Sequence, residues 1–339
     1  MRMRQKSWSN LRTAYLGGFL LICFFILFPF IVNPEESYLV YFLFLTFLYI
    51  ALSQGWNLVA GYTGQASLGQ HAFFGLGAYL TAMTWKAGWT GYLDPLGLLI
   101  SGAGSAFLAI VIGIPLLAKL RGDYFALGTL GLGEILRVLF TQGGSITGGP
   151  VGLMLPSSDY QSMRPYYFIG LFIALFSFLS IWLLVRSRLG LALVAIREDE
   201  QAASSNGIYV LKFKIFAFAV GAFFTGLCGS LYAYYLFHIH PPGFFSLNWA
   251  LLPVLMTILG GISTLLGPVI GAFLLAAVFE LAIIWLPNIH PIFSGIFIIL
   301  VMIFLPQGIM SLGAKTNNKY QIFWRMFFSN RYLEDKKTS

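Results

Sequence analysis

Long apolar segments are the feature that most restricts what this chain can fold into. A helix needs about 20 predominantly apolar residues to cross the roughly 30 Å hydrocarbon core of a bilayer. We place ten such segments, of which the eighth is short enough to be a broken span: 14–32, 38–54, 69–86, 96–118, 124–141, 166–185, 212–236, 249–262, 268–286 and 292–310. The sequence therefore predicts an all-α polytopic membrane protein of about ten transmembrane helices, with some broken or re-entrant segments.

The composition agrees with this prediction. Apolar residues make up 58% of the chain and charged residues only 9%, whereas soluble domains carry about 25% charged residues. A basic start precedes the first apolar run, and no small-residue cleavage site follows it. This pattern predicts an uncleaved first span. We expect a cytoplasmic segment at 1–13, a transmembrane domain at 14–310 and a cytoplasmic tail at 311–339.

The distribution of basic residues predicts the topology. If the N-terminus is cytoplasmic, all but three of the 20 Lys and Arg residues fall on the cytoplasmic side. The exceptions are Lys86 and Arg164 outside and Arg137 within a span. Because cytoplasmic loops of membrane proteins are enriched in Lys and Arg, both termini are predicted to be cytoplasmic. Five spans on each side of the outer loop 142–165 would form two inverted halves, a symmetry that we state as a hypothesis.

Several classes of function lack their signatures. The net charge is +8, but the basic residues are scattered in short connections and form no aromatic-interleaved patch, so we expect no nucleic-acid partner. The phosphate-binding pattern G-x-x-x-x-G-K-[ST] does not occur in the sequence, so no nucleotide cofactor is expected in this chain. Cys23 and Cys228 both lie in apolar runs and indicate no disulfide framework.

Two glycine-rich stretches are candidates for a solute pathway. They are "NLVAGYTGQASLGQHAFFGLGAY" at 57–79 and "LGGISTLLGPVIGA" at 259–272. Backbone that is not helical survives at membrane depth only where it is buried in protein or lines a cavity. Tight helix packing through small residues is the alternative interpretation. The pathway candidates are Gly61, Gly64, Gln65, Ser67, Gly69, Gly260, Gly261 and Gly267.

Three charged residues lie within predicted spans. Glu134 and Arg137 are three residues apart and so share a helix face, where they can neutralise each other as a structural pair. Glu280 stands alone in the ninth span. Ionisable groups inside a membrane are functional candidates, and a proton-coupled carrier would use such carboxylates. An ion-coupled secondary transporter is therefore an alternative to be tested.

The histidines do not form a recognisable metal site. His238, His240 and His290 lie in predicted outer connections, and a metal there would make the chain a polytopic enzyme. Zinc sites usually need three or four ligands at recognisable spacing, and no thiolate or carboxylate motif accompanies these residues. We therefore expect hydrogen-bonded or interfacial histidines, no metal and no catalytic residues.

A charged segment interrupts the apolar sequence on the predicted cytoplasmic side. It reads "AIREDEQAASSNGI" at 195–208, within a connection at 187–211. Good helix formers predict one helix over 189–206, and Asn206 followed by Gly207 is a helix stop. A solvated connecting loop is one interpretation. A short rigid helix that docks another protein is the other.

This segment also carries a family resemblance. Gln201-Ala202-Ala203-x-x-x-Gly207 is similar to the E-A-A-x-x-x-G loop by which ABC importer permeases contact their ATPase subunits, with Gln in place of Glu. The longer string 195–208 resembles the corresponding loop of branched-chain amino acid permeases of the LivM type. Further similar blocks follow in the family's order over about residues 55–310: the two glycine-rich stretches, "LRGDYFALGTLGLGEILR", "TGGPVGL" and "LPQGIM".

The resemblance implies an import complex in a bacterial inner membrane. Its other members would be a second related permease, two cytoplasmic ATPases that bind ATP and magnesium, and an extracytoplasmic solute-binding protein. The substrate would be a branched-chain amino acid, while related permeases carry other amino acids, amides and urea. The ATPase-coupling residues implied are Arg197, Glu198, Asp199, Glu200, Ala202, Ala203 and Gly207.

Overall fold

The structure is a computed structural model. It describes residues 20, 21, 23–33, 35, 37–157, 160–285, 295, 296, 299, 300, 303 and 308–310. The predicted segments 1–13 and 311–339 lie outside this part, as do His290 and most of the tenth predicted span. Residues 23–31 are helical and belong to the first predicted span.

Helices dominate the described chain. In order they are α1 Tyr38–Thr63, α2 Gln70–Lys86, α3 Pro95–Lys119, α4 Asp123–Gln142, α5 Gly144–Thr147, α6 Arg164–Arg186, α7 Arg188–Glu198, α8 Glu200–Ser205, α9 Val210–Leu236, α10 Pro241–Phe244, α11 Asn248–Gly260 and α12 Gly267–Trp285. Two short strands, β1 Leu153–Met154 and β2 His238–Ile239, pair antiparallel with Leu153 opposite Ile239.

The helix lengths confirm an all-α polytopic membrane protein. In the described part, seven helical segments are long and apolar enough to cross a membrane. They are α1, α3, α4, α6, α9, α12 and the segment Pro241–Gly260, which includes α10 and α11. Helix α2 has 17 residues, at the short end of the range that can cross a bilayer. The total of ten spans stays a prediction.

The second and eighth predicted spans can be compared with helices α1 and α11. The second span was expected to end at residue 54, but α1 continues to Thr63 over 26 residues. The prediction was wrong because Ser53, Gln54 and Asn57 are buried between helices and do not mark the start of a polar connection. The eighth span is confirmed as short, since α11 has 13 residues and the turn of α10 precedes it.

Helices α1 and α9 form the centre of the bundle. They cross at Gly55 and Gly221, where a Cβ on Gly55 would lie 3.1 Å from the Gly221 carbonyl oxygen. Without side chains at these positions the two backbones approach closely, as small residues permit in membrane proteins. Large aromatic side chains such as Phe44, Phe224 and Tyr234 fill the core of the bundle.

The packing around this crossing is reciprocal. Helix α9 packs against α2 and α3, which also pack against each other. Helix α1 packs in the same way against α11 and α12, which contact each other. An inverted repeat that relates α1 to α9, α2 to α11 and α3 to α12 predicts this arrangement. The packing thus agrees with the inverted-halves hypothesis for the helices described.

Successive antiparallel spans bring the connections to two ends of the bundle. One end holds the turns 64–69 and 261–266 together with α7 and α8; we call it the island end. The opposite end holds residues 143–163 and 237–247, including the two paired strands. Both glycine-rich stretches therefore turn at the island end.

Candidate functional site

The charged island consists of two helices that bend at Asp199. Ser187 caps α7 by accepting a hydrogen bond from the Leu189 amide at 3.1 Å. Asp199 is extended and its carboxylate accepts hydrogen bonds from the amides of Gln201 and Ala202 at 2.8 and 3.0 Å. The prediction of one continuous helix over 189–206 was wrong. Asp satisfies the first free amides of α8 best in this non-helical conformation, so it starts a second helix.

The end of the island follows the sequence prediction. Helix α8 ends at Ser205, and Gly207 adopts a φ of 81°. The Gly207 amide donates to the Ser204 carbonyl at 2.9 Å, and the Ile208 amide donates to the Ala203 carbonyl at 3.1 Å. This left-handed position suits glycine and closes the free carbonyl groups of the helix. The Asn-Gly stop is therefore confirmed.

The island has an outer and an inner side. Glu198, Asp199 and Ala202 are exposed, as are Gln201 and Gly207. Arg197 and Glu200 are partly buried because their side chains turn toward the membrane helices, and Ala203 is buried. The four consecutive charges, which sequence alone presents as one cluster, therefore have different surroundings.

Arg197 joins the island to both glycine-rich turns. Its Nη1 donates to the carbonyl of Gly61 in the last turn of α1 at 3.1 Å. The same nitrogen donates to Oγ of Ser263, in the turn between α11 and α12, at 2.7 Å. The Ser263 hydroxyl in turn donates to the Gly61 carbonyl at 2.6 Å. One guanidinium group thus links α7 to turns from opposite halves of the chain.

Asn57 holds the second turn against α1. Its Nδ2 donates to the Thr264 carbonyl at 2.8 Å, while its Oδ1 accepts from the Ser263 amide at 2.9 Å. Gln54, one turn earlier, donates to the Leu265 carbonyl at 2.8 Å. Ser263 has a φ of 63°, which is uncommon for a residue other than glycine. The contacts with Asn57 and Arg197 hold it there.

Glu200 forms a second connection. Its carboxylate accepts a hydrogen bond from Lys214 of α9 and another, at 3.1 Å, from Gln65 in the turn after α1. Arg121 lies 3.8 Å from the other carboxylate oxygen. The Lys214 side chain is only 2% exposed. A buried ammonium needs such a partner, because an unpaired charge in a protein interior is strongly unfavourable.

The candidate pathway glycines occupy close contacts at the island end. A Cβ on Gly61 would lie 2.2 Å from Asn57 Oδ1, and one on Gly64, whose φ is 72°, would lie 3.2 Å from Arg197 Cγ. A Cβ on Gly69 would lie 2.7 Å from the Thr129 carbonyl oxygen. Gly260, Gly261 and Gly267 form the equivalent tight turn, and Gln65 and Ser67 are buried beside the first. These glycines thus lie in close contacts, and their part in a solute pathway stays a prediction.

The intramembrane charges lie away from the island. Glu134 and Arg137 form the expected pair, with Arg137 Nε donating to Glu134 Oε2 at 2.8 Å. Glu280 accepts a hydrogen bond from the Tyr38 hydroxyl.

At the end of the bundle opposite the island, the His238 and His240 rings stack with centroids 5.1 Å apart, and His238 Nε2 lies 2.8 Å from the Val151 carbonyl oxygen. Both histidines thus have structural contacts.

Sequence reasoning missed four residues of this site. Asn57 and Gln54 could have been found from the sequence, because amide side chains buried in an apolar helix need hydrogen-bond partners. Lys214 is buried and Lys212 is exposed, although both are lysines near the start of α9. Only the helix face on which each residue lies separates them. Ser263 carries no signal of its own, since its role depends on an unusual backbone conformation and on contacts from distant residues.

Comparison with known proteins identifies relatives over most of the chain. The family described as "Branched-chain amino acid transport system / permease component" matches residues 38–306. The high-affinity branched-chain amino acid transport system permease protein LivM of Escherichia coli is 31% identical over 300 residues, which cover 79% of this chain and 69% of the relative. The LivM protein of Salmonella typhimurium is also 31% identical, with the same coverage.

A more distant relative has a different name. The autoinducer 2 import system permease protein LsrC of Yersinia pseudotuberculosis is 29% identical over 222 residues, 63% of this chain and 61% of the relative. No solved structure gives a significant match. The relatives thus share a permease description, while the solutes in their names differ.

Proposed function

The chain belongs to the family of permease components of branched-chain amino acid transport systems, and we propose that it is the transmembrane subunit of an ABC importer for these amino acids. The observation that carries the proposal is the two-sided island. Its outer side is free for a partner, and its inner side is bonded to the turns of the transmembrane helices. Such an element can pass movement from a partner into the membrane domain.

The outer side of the island is the contact for an ATPase subunit. Glu198, Asp199, Gln201 and Ala202 are exposed on it, and the caps at Asp199 and Gly207 hold α8 in one shape. A capped, preordered helix loses little conformational freedom when a partner docks on it. Exposed carboxylates also favour a partner surface that carries Arg or Lys.

The inner side of the island carries the movement into the membrane. ATP binding closes two cytoplasmic ATPases against each other and displaces α7 and α8. Arg197 then moves the turns at Gly61 and Ser263, while Glu200 moves the turn at Gln65 together with α9. Because α1 and α9 are the central helices, their displacement switches the permease between outward and inward access.

The complete importer contains partners outside this chain. They are a second related permease, two ATPases that hold ATP and magnesium, and an extracytoplasmic binding protein. The island end faces the cytoplasm and both termini are cytoplasmic, in agreement with the distribution of Lys and Arg. The complex lies in a bacterial inner membrane.

The proposed substrate class rests on the relatives. Two LivM proteins with 31% identity are named for branched-chain amino acids, whereas the relative named for autoinducer 2 is 29% identical over a shorter region. We accordingly assign leucine, isoleucine and valine to this permease. The binding protein that works with it sets most of the selectivity.

Charge reversal on the outer side of the island tests the docking role. Glu198 pairs with Arg197 within the island, so Gln201→Lys alone is measured alongside the double variant. The variant Glu198→Lys/Gln201→Lys replaces exposed side chains that make no contact with the membrane helices, and the transmembrane fold should be retained. We expect it to lose co-purification of the ATPase subunits and ATP-driven leucine uptake in proteoliposomes, while the second permease stays bound. Asp199 is left unchanged because its carboxylate caps α8.

A matched charge reversal serves as the control. Lys86→Glu changes an exposed charge at the opposite end of the bundle and should leave ATPase binding and uptake unchanged. Full ATPase association with the reversed island contradicts the docking role. Uptake by this chain alone, driven by an ion gradient without ATPases, contradicts the importer proposal and supports a secondary transporter.

A further inference from the structure

The Glu134–Arg137 pair lies near the middle of a transmembrane helix. Helix α4 has 20 residues, Asp123–Gln142, and at 1.5 Å per residue it is about 30 Å long. Glu134 is therefore about 16 Å and Arg137 about 21 Å from the start of the helix. From the other end of the helix, Glu134 is about 12 Å away, beyond the reach of its short side chain, and Arg137 about 8 Å.

The pair is only partly covered by the rest of the chain. Its side chains are 44% exposed at Arg137 and 43% exposed at Glu134. On the same side of α4, a Cβ on Gly131 would meet no atom within 4 Å. Gly133, one turn before Arg137, packs against the buried His71 ring. Glu134 thus lies on the open side of the helix, with the exposed Val138 one turn away, and Arg137 lies at the edge of the packed side.

Direct contact with lipid would be energetically unfavourable for such a charged surface. Charged groups in transmembrane helices almost always face protein or a water-filled cavity, because hydrocarbon cannot replace their hydration. The contact between Glu134 and Arg137 removes only part of that cost, since each side chain remains more than two-fifths exposed. In the assembled transporter this face of α4 must therefore meet another subunit or an aqueous path.

The pair keeps free groups of both signs. The contacts within the pair join Glu134 Oε2 to Arg137 Nε and Nη2, at 2.8 and 2.6 Å. Within the described chain, Glu134 Oε1 and Arg137 Nη1 have no hydrogen-bond partner, and neither residue pairs with another charge. A carboxylate acceptor and a guanidinium donor are thus presented side by side.

These groups complement an α-amino acid. At neutral pH its ammonium group pairs with a carboxylate, and its carboxylate pairs with a guanidinium group through charge-assisted hydrogen bonds. Val138, which is exposed one turn from Glu134, offers apolar contact to a branched side chain. A solute without charged groups would gain nothing from this combination. The arrangement therefore matches a zwitterion with an aliphatic side chain.

We propose that Glu134 and Arg137 form a transient binding site for the zwitterionic head of the amino acid as it passes between this permease and the second one. The proposal rests on the proposed importer function and adds a substrate-contacting site to it. Mutual pairing of the two residues keeps their charges neutralised before the solute arrives. The free atoms Oε1 and Nη1 then bind its ammonium and carboxylate groups.

The test uses the complete importer in proteoliposomes. ATP-driven leucine uptake and ATPase stimulation by the loaded binding protein are measured for Glu134→Gln, Arg137→Gln and the double variant. Each should lower uptake roughly tenfold or more, the loss expected when a charge-assisted hydrogen bond is removed. Subunit composition and stimulated ATP hydrolysis should stay unchanged. Arg137→Lys, which keeps the charge, should retain more uptake than Arg137→Gln.

Other outcomes overturn the site. If the single variants lose uptake and the neutral double variant restores it, the charges serve only to neutralise each other. If the second permease no longer co-purifies, the pair is part of a subunit interface. Unchanged uptake in all variants also overturns the site, whereas a wild-type complex that imports no amino acid overturns the proposed function itself.

A matched control removes the other carboxylate of the same helix. Asp123 is exposed in the first turn of α4, far from the middle of the span. The conservative variant Asp123→Asn should leave leucine uptake at the wild-type level. A loss equal to that of Glu134→Gln would show that uptake depends on the overall charge of α4, and would overturn a site specific to the pair.

Discussion

Arg197 and Ser263, 66 positions apart in the sequence, are joined by a hydrogen bond of 2.7 Å between a guanidinium nitrogen and a hydroxyl oxygen. Because the same nitrogen donates to the Gly61 carbonyl at 3.1 Å, one side chain connects α7 to the last turn of α1 and to the turn that follows α11. The island is thus bonded directly to segments from both halves of the chain. This connection and the packing beneath it lead to four predictions.

Removing the Arg197 guanidinium should uncouple the transporter. Arg197→Gln loses at least one of the bonds to Gly61 and Ser263, while the exposed docking residues remain. We expect ATPase subunits to stay bound and to hydrolyse ATP, with uptake roughly tenfold lower, since a hydrogen bond to a charged group contributes about 1.5–3 kcal/mol. Arg188→Gln, an exposed arginine of the same helix, is the control. Coupled uptake in Arg197→Gln would contradict this role.

Breaking the Lys214–Glu200 pair should destabilise the protein. Glu200→Gln leaves a lysine that is 2% exposed without its carboxylate, and removing one partner of a buried ion pair typically costs about 3–5 kcal/mol. Thermal unfolding in detergent should occur at a clearly lower temperature. The double variant Glu200→Gln/Lys214→Met should recover part of the loss, because no buried charge is left unpaired. Equal stability of single variant and wild type would rule out a stabilising pair.

Asp199 should act as a helix cap more than as a docking charge. Asp199→Ala removes the acceptor for the Gln201 and Ala202 amides and should cost about 1 kcal/mol locally. Asp199→Asn keeps an acceptor and should preserve α8. Hydrogen exchange at these two amides distinguishes the variants, with faster exchange expected only for alanine. If asparagine and alanine weaken ATPase binding equally without faster exchange, the negative charge itself is what matters.

The Gly55–Gly221 crossing should not tolerate side chains. A Cβ on Gly221 would lie 2.9 Å from the Gly55 carbonyl oxygen, and overpacking of this kind costs about 1–3 kcal/mol. Gly221→Val should therefore lower the yield of monodisperse protein and its unfolding temperature. Gly91→Ala is the matched control, because a Cβ there meets no atom within 4 Å. A stable Gly221→Val protein would mean that α1 and α9 can separate at little cost.

Much of the fold was predictable from local properties. Spans three to nine were placed within two residues of the observed helices, because the length of an apolar run is a direct requirement of the bilayer. The end of α8 was also predictable, since Asn206 and Gly207 stop a helix through their own conformational preferences. The bend at Asp199 was missed, because the same residue type is found inside helices and at their caps.

The sequence by itself determined that this chain is a bundle of membrane helices with one charged island, because hydropathy, capping preference and charge distribution act over short stretches. Only the tertiary structure decided that Glu198 and Asp199 are exposed while Arg197 and Glu200 bond to the membrane helices. It also decided that Asn57, Ser263 and Lys214 complete the site. Their partners lie far away in the sequence, and only the packing of α1, α9 and the two turns brings such groups within hydrogen-bonding distance.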